Sequence, residues 1–383
     1  MTKKLLFDGT ALQSNHVVQY HGGSEYAKFI LTEAIKYGFK FDIVLNPNMI
    51  IEDSILELLR QNDIGITHIK SNKDLYENID KMGYEIFYSA LPYKFYDYNA
   101  NAKFIGVIHG LRNIEIIWDK YKHKFYNSIP KRLIGWGISK MGLIQCLIKN
   151  KRANDLKKLI SIPNSKFIVV SNHTKHSILN FFPSVSPNQI QVFYSPIERV
   201  EIMNRKSKYK RPYFLLVSGN RFEKNTYRAI KAFDLLFSEN RIEGYNVIVT
   251  GAENIPFKSN IRNIHRFILL PYVGHDELLS LYENAYCLIY PSLNEGFGYP
   301  PVISMQLNVP VISSCATSIP EVCDNAALYF EPYSIDELKN RILQISYNSN
   351  LYNELIVKGK HRAQELLAKQ YNDILIYLNE IFK

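Results

Sequence analysis

Cysteine is scarce in this chain. Its 4 cysteines among 383 residues have none of the paired spacings of a metal site, and they lie in apolar surroundings: Cys146, Cys287, Cys315 and Cys323. This pattern excludes a cysteine-based metal centre and favours a reducing, cytoplasmic setting.

Long hydrophobic runs are also missing. No stretch reaches the about 18 uncharged apolar residues that a membrane-spanning helix needs, and the apolar run at residues 5–7 is too short for a signal peptide. We therefore expect no transmembrane segment and no signal peptide, and any membrane contact should be peripheral.

Acidic residues are almost absent from one segment, 120–158, where Asp155 is the only acid although the chain as a whole has a formal charge of +10. Its lysines and arginines alternate with apolar residues that include Trp136. A basic face beside an apolar face is typical of a helix on an anionic membrane, and an ordinary amphipathic helix with solvated lysines is the alternative. No recognition-helix, zinc-finger or RNA-binding signature accompanies the charge, so we expect no nucleic-acid partner.

The length and the apolar runs predict two α/β domains. Short apolar runs separated by helix-length segments are typical of parallel sheets covered on both faces, as in a Rossmann-like domain. We expect a first domain at 1–203, a polar, basic linker at 204–212, and a second domain at 213–365. The predicted strands are 5–7, 41–45, 64–69, 85–89, 104–108, 167–171, 191–194, 214–217, 247–250, 267–270, 288–290, 311–313 and 327–330.

One stretch, 287–305, contains most of the candidate ligand-binding residues. A buried strand is followed by a turn with Gly296 and Gly298, and then by a helix with two prolines in its first turn. Glycines let the backbone approach a ligand, and the amides of a helix N-terminus attract phosphate. Phosphate would repel Glu295, which is suited to accept hydrogen bonds from sugar hydroxyls. The stretch therefore predicts a nucleotide-sugar pocket, with Asn308 as the left-handed residue that ends the helix.

This stretch resembles the donor-site motif of retaining GT-B glycosyltransferases, in particular glycosyltransferase family 4 (group 1 glycosyltransferases). The matching residues are Glu295, Gly296, Phe297, Gly298, Tyr299 and Pro300. Ile303 stands where the family has a second glutamate that usually binds the ribose, and Ile303 has no acceptor to offer. The resemblance implies two Rossmann-like doubly wound domains that face a central cleft, with a last helix, about 366–383, that packs back on the first domain. No Asp-x-Asp motif suggests the metal-dependent, single-domain alternative.

Three other sites match family positions. The turn at Gly22 and Gly23 precedes a helix and would offer amides to a diphosphate, although such a turn is more often only a turn. His109 ends a strand, where the resemblance implies a contact with the donor sugar. After Gly219, Arg221 and Lys224 match the cations that neutralise the leaving diphosphate. In addition, Tyr272 and Val273 lie where the resemblance implies contacts on either side of the base, and packing is the alternative for Tyr272.

The resemblance thus implies a retaining, metal-independent hexosyltransferase without a cofactor. It would move a hexosyl unit from a nucleoside diphosphate sugar to a glycan or lipid-linked acceptor, in cell-surface polysaccharide or glycoconjugate biosynthesis. The catalytic residues would be Glu295, His109, Lys224 and Arg221. A catalytically inactive GT-B scaffold that binds a glycan or a partner transferase is the alternative, and Ile303 is its basis.

Overall fold

A computed structural model describes residues 3–14, 22–116, 119–210 and 212–383. The strands of the described chain are β1 (Leu5–Asp8), β2 (Asp42–Leu45), β3 (Gly65–His68), β4 (Ile86–Ser89), β5 (Lys103–Ile108), β6 (Ser165–Val169), β7 (Ile190–Val192), β8 (Tyr213–Leu216), β9 (Asn246–Val249), β10 (Phe267–Leu269), β11 (Cys287–Tyr290), β12 (Val311–Ser314) and β13 (Ala327–Phe330). The helices of the same residues are α1 (Gly22–Lys36), α2 (Asp53–Gln61), α3 (Asn72–Met82), α4 (Arg112–Glu115), α5 (Ile129–Ile138), α6 (Gly142–Ile160), α7 (Asn172–Phe181), α8 (Thr226–Ser238), α9 (His275–Glu283), α10 (Tyr299–Gln306), α11 (Ile319–Cys323), α12 (Ile335–Tyr347) and α13 (Ser349–Phe382).

The strands form two parallel sheets, which confirms the predicted α/β class. Within the described residues, the first sheet has seven strands in the order β3-β2-β1-β4-β5-β6-β7, and the second has six in the order β10-β9-β8-β11-β12-β13. Each predicted strand overlaps an observed one. The central strands β1, β4, β8 and β11 are fully buried, because each is a short run of apolar and aromatic residues inside a sheet with helices on both faces. The edge strand β3 has no buried residue.

Each sheet reverses its strand order once. In the first sheet the reversal lies between β1 and β4, and in the second between β8 and β11, where Phe214 is paired with Cys287 and Leu215 with Leu288. Ligands of doubly wound sheets bind beyond the carboxyl ends of the strands at such reversals. The loops that follow β8 and β11 are therefore adjacent, although their residues are about seventy positions apart in sequence.

The chain divides into two compact units. Unit 1 comprises residues 1–111, 150–196 and 370–383, and unit 2 comprises residues 112–149 and 197–369. This division differs from the one expected from the sequence, which assigned 112–149 and 197–203 to the first domain. Residues 112–149 group with unit 2 because their side chains pack there: Phe125 contacts the ring of Phe257 at 5.1 Å between centroids, and Arg132 Nη2 donates to the Pro256 carbonyl at 2.6 Å.

The end of the last helix lies in unit 1. The Tyr377 hydroxyl is 2.7 Å from the Tyr26 hydroxyl and 3.1 Å from the Tyr88 hydroxyl, and Lys166 pairs with Glu380. The residues expected from the sequence to act as a linker are held on unit 2 instead, where Arg205 Nη1 lies 2.6 Å from Glu283 Oε2. Across the described residues, the helices are too short or too polar for any of them to cross a membrane.

Candidate active site

The loop between β11 and α10 has the strand, turn and helix that the sequence predicts. Gly298 adopts φ 121° and ψ 61°, and α10 begins at the next residue with proline in its first turn. Asn308 has the left-handed φ of 59° expected for the residue that ends this helix. A φ near 120° favours glycine, because a Cβ there would strain the backbone. This segment therefore presents the amides of a helix start, as an anion site requires.

Two hydroxyl side chains that were not predicted from the sequence, those of Thr317 and Ser318, hold this loop in place. Thr317 Oγ1 accepts from the Glu295 amide at 2.9 Å and donates to the Glu295 carbonyl at 3.0 Å. Ser318 Oγ lies 2.9 Å from the Glu295 carbonyl and 2.9 Å from the Phe297 carbonyl. The loop after β12 thereby supplies hydrogen-bond partners to the Glu295 amide and to the Glu295 and Phe297 carbonyls. Residues more than twenty positions away thus position the Glu295 side chain.

Glu295 and Lys224 form a nearly buried ion pair. Lys224 Nζ lies 2.7 Å from Glu295 Oε1 and 3.4 Å from the Tyr290 hydroxyl, and it lies over the Tyr290 ring at 5.1 Å from the centroid. Burial by itself would raise the pKa of the Glu295 carboxyl, but the charge and hydrogen bond of Lys224 lower it below its usual value. Glu295 is therefore a carboxylate at neutral pH, and it can only accept hydrogen bonds.

Arg221 lies next to this pair in the loop after β8. Its Nε donates to Glu223 Oε1 at 2.8 Å, and Arg112 Nη1 donates to the same oxygen at 2.7 Å. Burial would raise the pKa of the Glu223 carboxyl, and the two arginines lower it below its usual value. Gly219 lies in this loop, and a Cβ there would lie 2.6 Å from Val249 Cγ1, so any side chain at this position would force its neighbours to shift.

Asn225 links the two loops of the site. It has a left-handed φ of 56°, and its Nδ2 donates to the Pro291 carbonyl at 3.0 Å and to the Pro332 carbonyl at 2.7 Å. Its Oδ1 accepts from Arg228 Nη1 at 3.0 Å. Asn225 was not among the residues predicted from the sequence. Its position directly after Lys224 and before a helix was the available signal, since asparagine tolerates the left-handed conformation.

The remaining expected positions of unit 2 are less enclosed. Tyr272 is exposed, and its hydroxyl donates to Asn220 Oδ1 at 2.7 Å. Val273 and Ile303 are half-buried and pack against the apolar core of this unit. Ile303 therefore contributes to packing where the family has a second carboxylate.

Unit 1 contains the other expected residues. Gly22 and Gly23 begin α1, and a Cβ at Gly23 would lie 2.5 Å from Leu91 Cδ2. The imidazole of His109 packs edge-on against the Tyr26 ring at 4.8 Å, and its Nε2 lies 2.8 Å from the Ala90 carbonyl. A carbonyl only accepts, so Nε2 is assigned the proton, and burial lowers the pKa of His109 below its usual value.

No cluster of three or more His, Cys, Asp or Glu side chains able to hold a metal ion occurs in the described parts of the chain.

Comparison with known proteins agrees with this geometry. Residues 198–362 match the family model described as glycosyl transferases group 1. Over that segment the chain is similar to the group 1 glycosyltransferases. The family match contains Arg221, Lys224 and Glu295, and it leaves out Gly22, Gly23 and His109 of unit 1.

Proteins similar to this chain include the O-antigen chain mannosyltransferase RfbU of Salmonella typhimurium, which is 30% identical over 181 residues, 45% of this chain and 49% of RfbU. The O-antigen chain mannosyltransferase B of Escherichia coli is 31% identical over 177 residues, 45% of this chain and 46% of that protein. The chain thus matches these curated relatives over about half of their length.

The solved structure of Anabaena Alr3699/HepE in complex with UDP superposes with a TM-score of 0.65 at 13% identity, covering 99% of this chain and 100% of that one. At such low identity the likeness shows the fold alone, and that fold is GT-B.

Proposed function

We propose that the chain is a glycosyltransferase of polysaccharide biosynthesis, which moves a hexosyl unit from a nucleoside diphosphate sugar to a glycan or lipid-linked acceptor. The observation that carries the proposal is the Lys224–Glu295 pair, 2.7 Å between Nζ and Oε1, beside Arg221 and a helix start. Cations and amides suit a diphosphate, and a fixed carboxylate suits sugar hydroxyls. The two O-antigen relatives are mannosyltransferases, so mannose is the sugar that we propose.

In this mechanism the bond between the anomeric carbon and the diphosphate oxygen breaks, and the acceptor hydroxyl bonds to the anomeric carbon from the same face. Configuration is retained, and a phosphate oxygen of the leaving group takes the hydroxyl proton. Arg221 and Lys224 stabilise the charge of the leaving diphosphate, for which one well-placed donor contributes about 2.7–4 kcal/mol. Glu295 orients the sugar through its hydroxyls. The resemblance assigns a further sugar contact to His109 and diphosphate contacts to the amides of Gly22 and Gly23.

The experiment has two steps. The first is a thermal-shift titration with UDP, GDP, TDP, ADP and CMP, with and without EDTA. A ligand at 100 times its dissociation constant adds about 2.7 kcal/mol of stability, so we expect a shift with one diphosphate that EDTA leaves unchanged. The second step is sugar transfer from the matching nucleotide-mannose, with NMR of the product's anomeric configuration.

The variants Glu295→Gln and Lys224→Ala test the assigned roles. Both should lose transfer, because one removes the carboxylate that orients the sugar and the other removes the cation on the leaving group. Full activity in either variant would contradict the assignment. If no nucleotide shifts the melting of protein that unfolds cooperatively, the inactive GT-B scaffold with Ile303 in place of the second glutamate would be the better explanation.

We also propose that the acceptor is met at the cytoplasmic face of a membrane, through segment 120–158. In α5 and at the start of α6 several large apolar side chains are exposed, including Trp136 at 55% and Leu143 at 85%. Lys131, Lys140 and Lys149 are exposed in the same stretch. Apolar side chains among lysines suit the interface of an anionic bilayer.

Liposome flotation tests this contact. Binding should require anionic lipid, and it should fall when Lys140 and Lys149 are both changed to glutamate or when Leu143 is changed to aspartate. The matched control changes Lys258, an exposed lysine of the same unit, to glutamate. Flotation that is unaffected by the first set of changes would mean an ordinary solvated helix pair.

A further inference from the structure

One carboxylate in unit 2 is shared by two arginines. Glu223 Oε1 accepts from Arg112 Nη1 at 2.7 Å and from Arg221 Nε at 2.8 Å. The side chains of Arg112 and Arg221 are 46% and 43% exposed, so a ligand can reach both, whereas that of Glu223 is 18% exposed. Two guanidinium groups that are distant in sequence thus converge on a single anionic atom.

The donor motif is hydrogen-bonded on one side to the helix that bears Arg112 and on the other side to the loop that contains Arg221. Glu115, at the end of α4, accepts at Oε2 from Asn294 Nδ2 at 2.6 Å. On the other side, the Leu293 amide donates to the carbonyl of Glu223 at 2.8 Å. The residues directly before Glu295 are therefore joined both to α4 and to the loop that contains Arg221. This places the Arg112 side chain beside the expected diphosphate-binding loop.

The ion pairs of Glu223 and Glu295 contain more cations than anions. Arg112, Arg221 and Lys224 contribute three positive charges to them, and Glu223 and Glu295 contribute two negative charges, so these five side chains have a net charge of +1. Guanidinium groups bind carboxylate and phosphate through the same planar donor geometry. Because Arg112 and Arg221 are nearly half exposed, water weakens their ion pairs with the less exposed Glu223, so folding stability alone does not explain a second arginine here.

We infer that Arg112 is a further phosphate-binding residue of the donor site, and that Glu223 and a donor phosphate compete for the guanidinium groups of Arg112 and Arg221. The ligand class is a nucleoside diphosphate, and the inference rests on the proposed function. When the diphosphate binds, the two guanidinium groups exchange one carboxylate oxygen for phosphate oxygens. Glu223 thereby weakens binding of the free nucleotide and holds both arginines near the site.

Isothermal titration calorimetry tests this inference with the nucleoside diphosphate that shifts the melting of the unaltered protein, and with the corresponding nucleoside. In Arg112→Ala, affinity for the diphosphate should fall about tenfold or more, since a hydrogen bond between charged groups is lost. Affinity for the nucleoside, which has no phosphate, should stay within about twofold. Arg112→Lys should give an intermediate loss, because it keeps the charge without the planar donors.

Glu223→Gln is the opposing variant. It removes the competing negative charge, so affinity for the diphosphate should rise at least about twofold while the nucleoside is unaffected. The matched control is Arg262→Ala, an exposed arginine of the same unit, for which no change is expected.

Three outcomes would overturn the inference. Arg112→Ala and Arg112→Lys could both bind the diphosphate as the unaltered protein does, which would leave the proposed function intact. Diphosphate and nucleoside could weaken equally, which would give Arg112 a structural role only. If the unaltered protein binds none of the five nucleotides, the proposed function and the role of Arg112 both fail.

Discussion

Removal of Lys224 should cost far more stability than removal of a lysine whose partner is exposed. In unit 2 both Lys224 and Lys339 have a glutamate oxygen 2.7 Å from Nζ, but the glutamate partner of Lys224 is 17% exposed and that of Lys339 is 43% exposed. Lys224→Ala leaves a nearly buried carboxylate without its cation, and such a loss costs about 3 kcal/mol. Lys339→Ala leaves a carboxylate that water can solvate, and it should cost about 0.5 kcal/mol.

The assay is urea or thermal unfolding followed by circular dichroism at neutral pH. For a unit of about 200 residues, 3 kcal/mol corresponds to a fall in melting temperature of about 6–12 °C. The double variant Lys224→Met with Glu295→Gln should recover most of the loss, because it removes both charges. A stabilising role of the buried pair is excluded if Lys224→Ala loses no more stability than Lys339→Ala, or if the double variant is as unstable as the single one.

The contribution of Glu295 to folding stability should depend on pH in opposite directions in the unaltered protein and in Lys224→Ala. With Lys224 present, the pKa of Glu295 lies below its usual value, so its contribution to stability is complete above that usual value and is lost as the pH falls through the lowered pKa. Without Lys224, we expect burial to raise the pKa of Glu295 above its usual value, so the variant should become more stable, relative to the unaltered protein, as the solution is acidified from neutral pH. A parallel pH dependence of the two proteins would contradict this account.

Three further outcomes follow from local geometry. Gly298→Ala should lower the free energy of unfolding by about 1–3 kcal/mol, because the φ of Gly298 is 121°. The control Gly137→Ala, in a helix with open space around its Cβ position, should be neutral or slightly stabilising. Equal unfolding midpoints of the two variants would contradict backbone strain at Gly298. Asn225→Ala should cost about 2–4 kcal/mol, since two carbonyls lose their donor, and a loss below about 1 kcal/mol would show that water replaces the amide. In an NMR titration the ring of His109 should titrate with a pKa below the usual 6.5, and the stability supplied by its neutral form should be lost as the pH falls below that value; a midpoint above the usual value would mean that the ring gains a carboxylate partner.

The amino-acid sequence by itself determined the elements and the central motif. Strands such as β11 are continuous apolar runs, which are buried wherever they occur in an α/β protein, and the glycines and prolines at 296–301 specify a turn and a helix start through their own backbone preferences. Asn308 ends its helix for the same local reason. These features depend on neighbours within a few residues, so they could be predicted.

The sequence could not predict in this way that residues 112–149 group with unit 2. This segment groups with unit 2 because Arg228 pairs with Asp119, which lies 109 positions earlier, and because aromatic rings such as Phe125 pack there. The basic composition of the segment suggested a surface role and concealed these contacts. No periodic pattern within the segment indicates that the buried Asp119 will pair with the distant Arg228.

The same distinction holds within the candidate site. Sequence selected Arg221, Lys224 and Glu295 from their motifs, but the motifs do not show that Lys224 binds Glu295 or that Arg112 shares Glu223 with Arg221. Those pairings exist because β8 and β11 are neighbours at the reversal of the second sheet, which brings together loops distant in sequence. Local preferences fix where a strand ends, whereas the side chains that meet beyond that end are decided by the order of the strands.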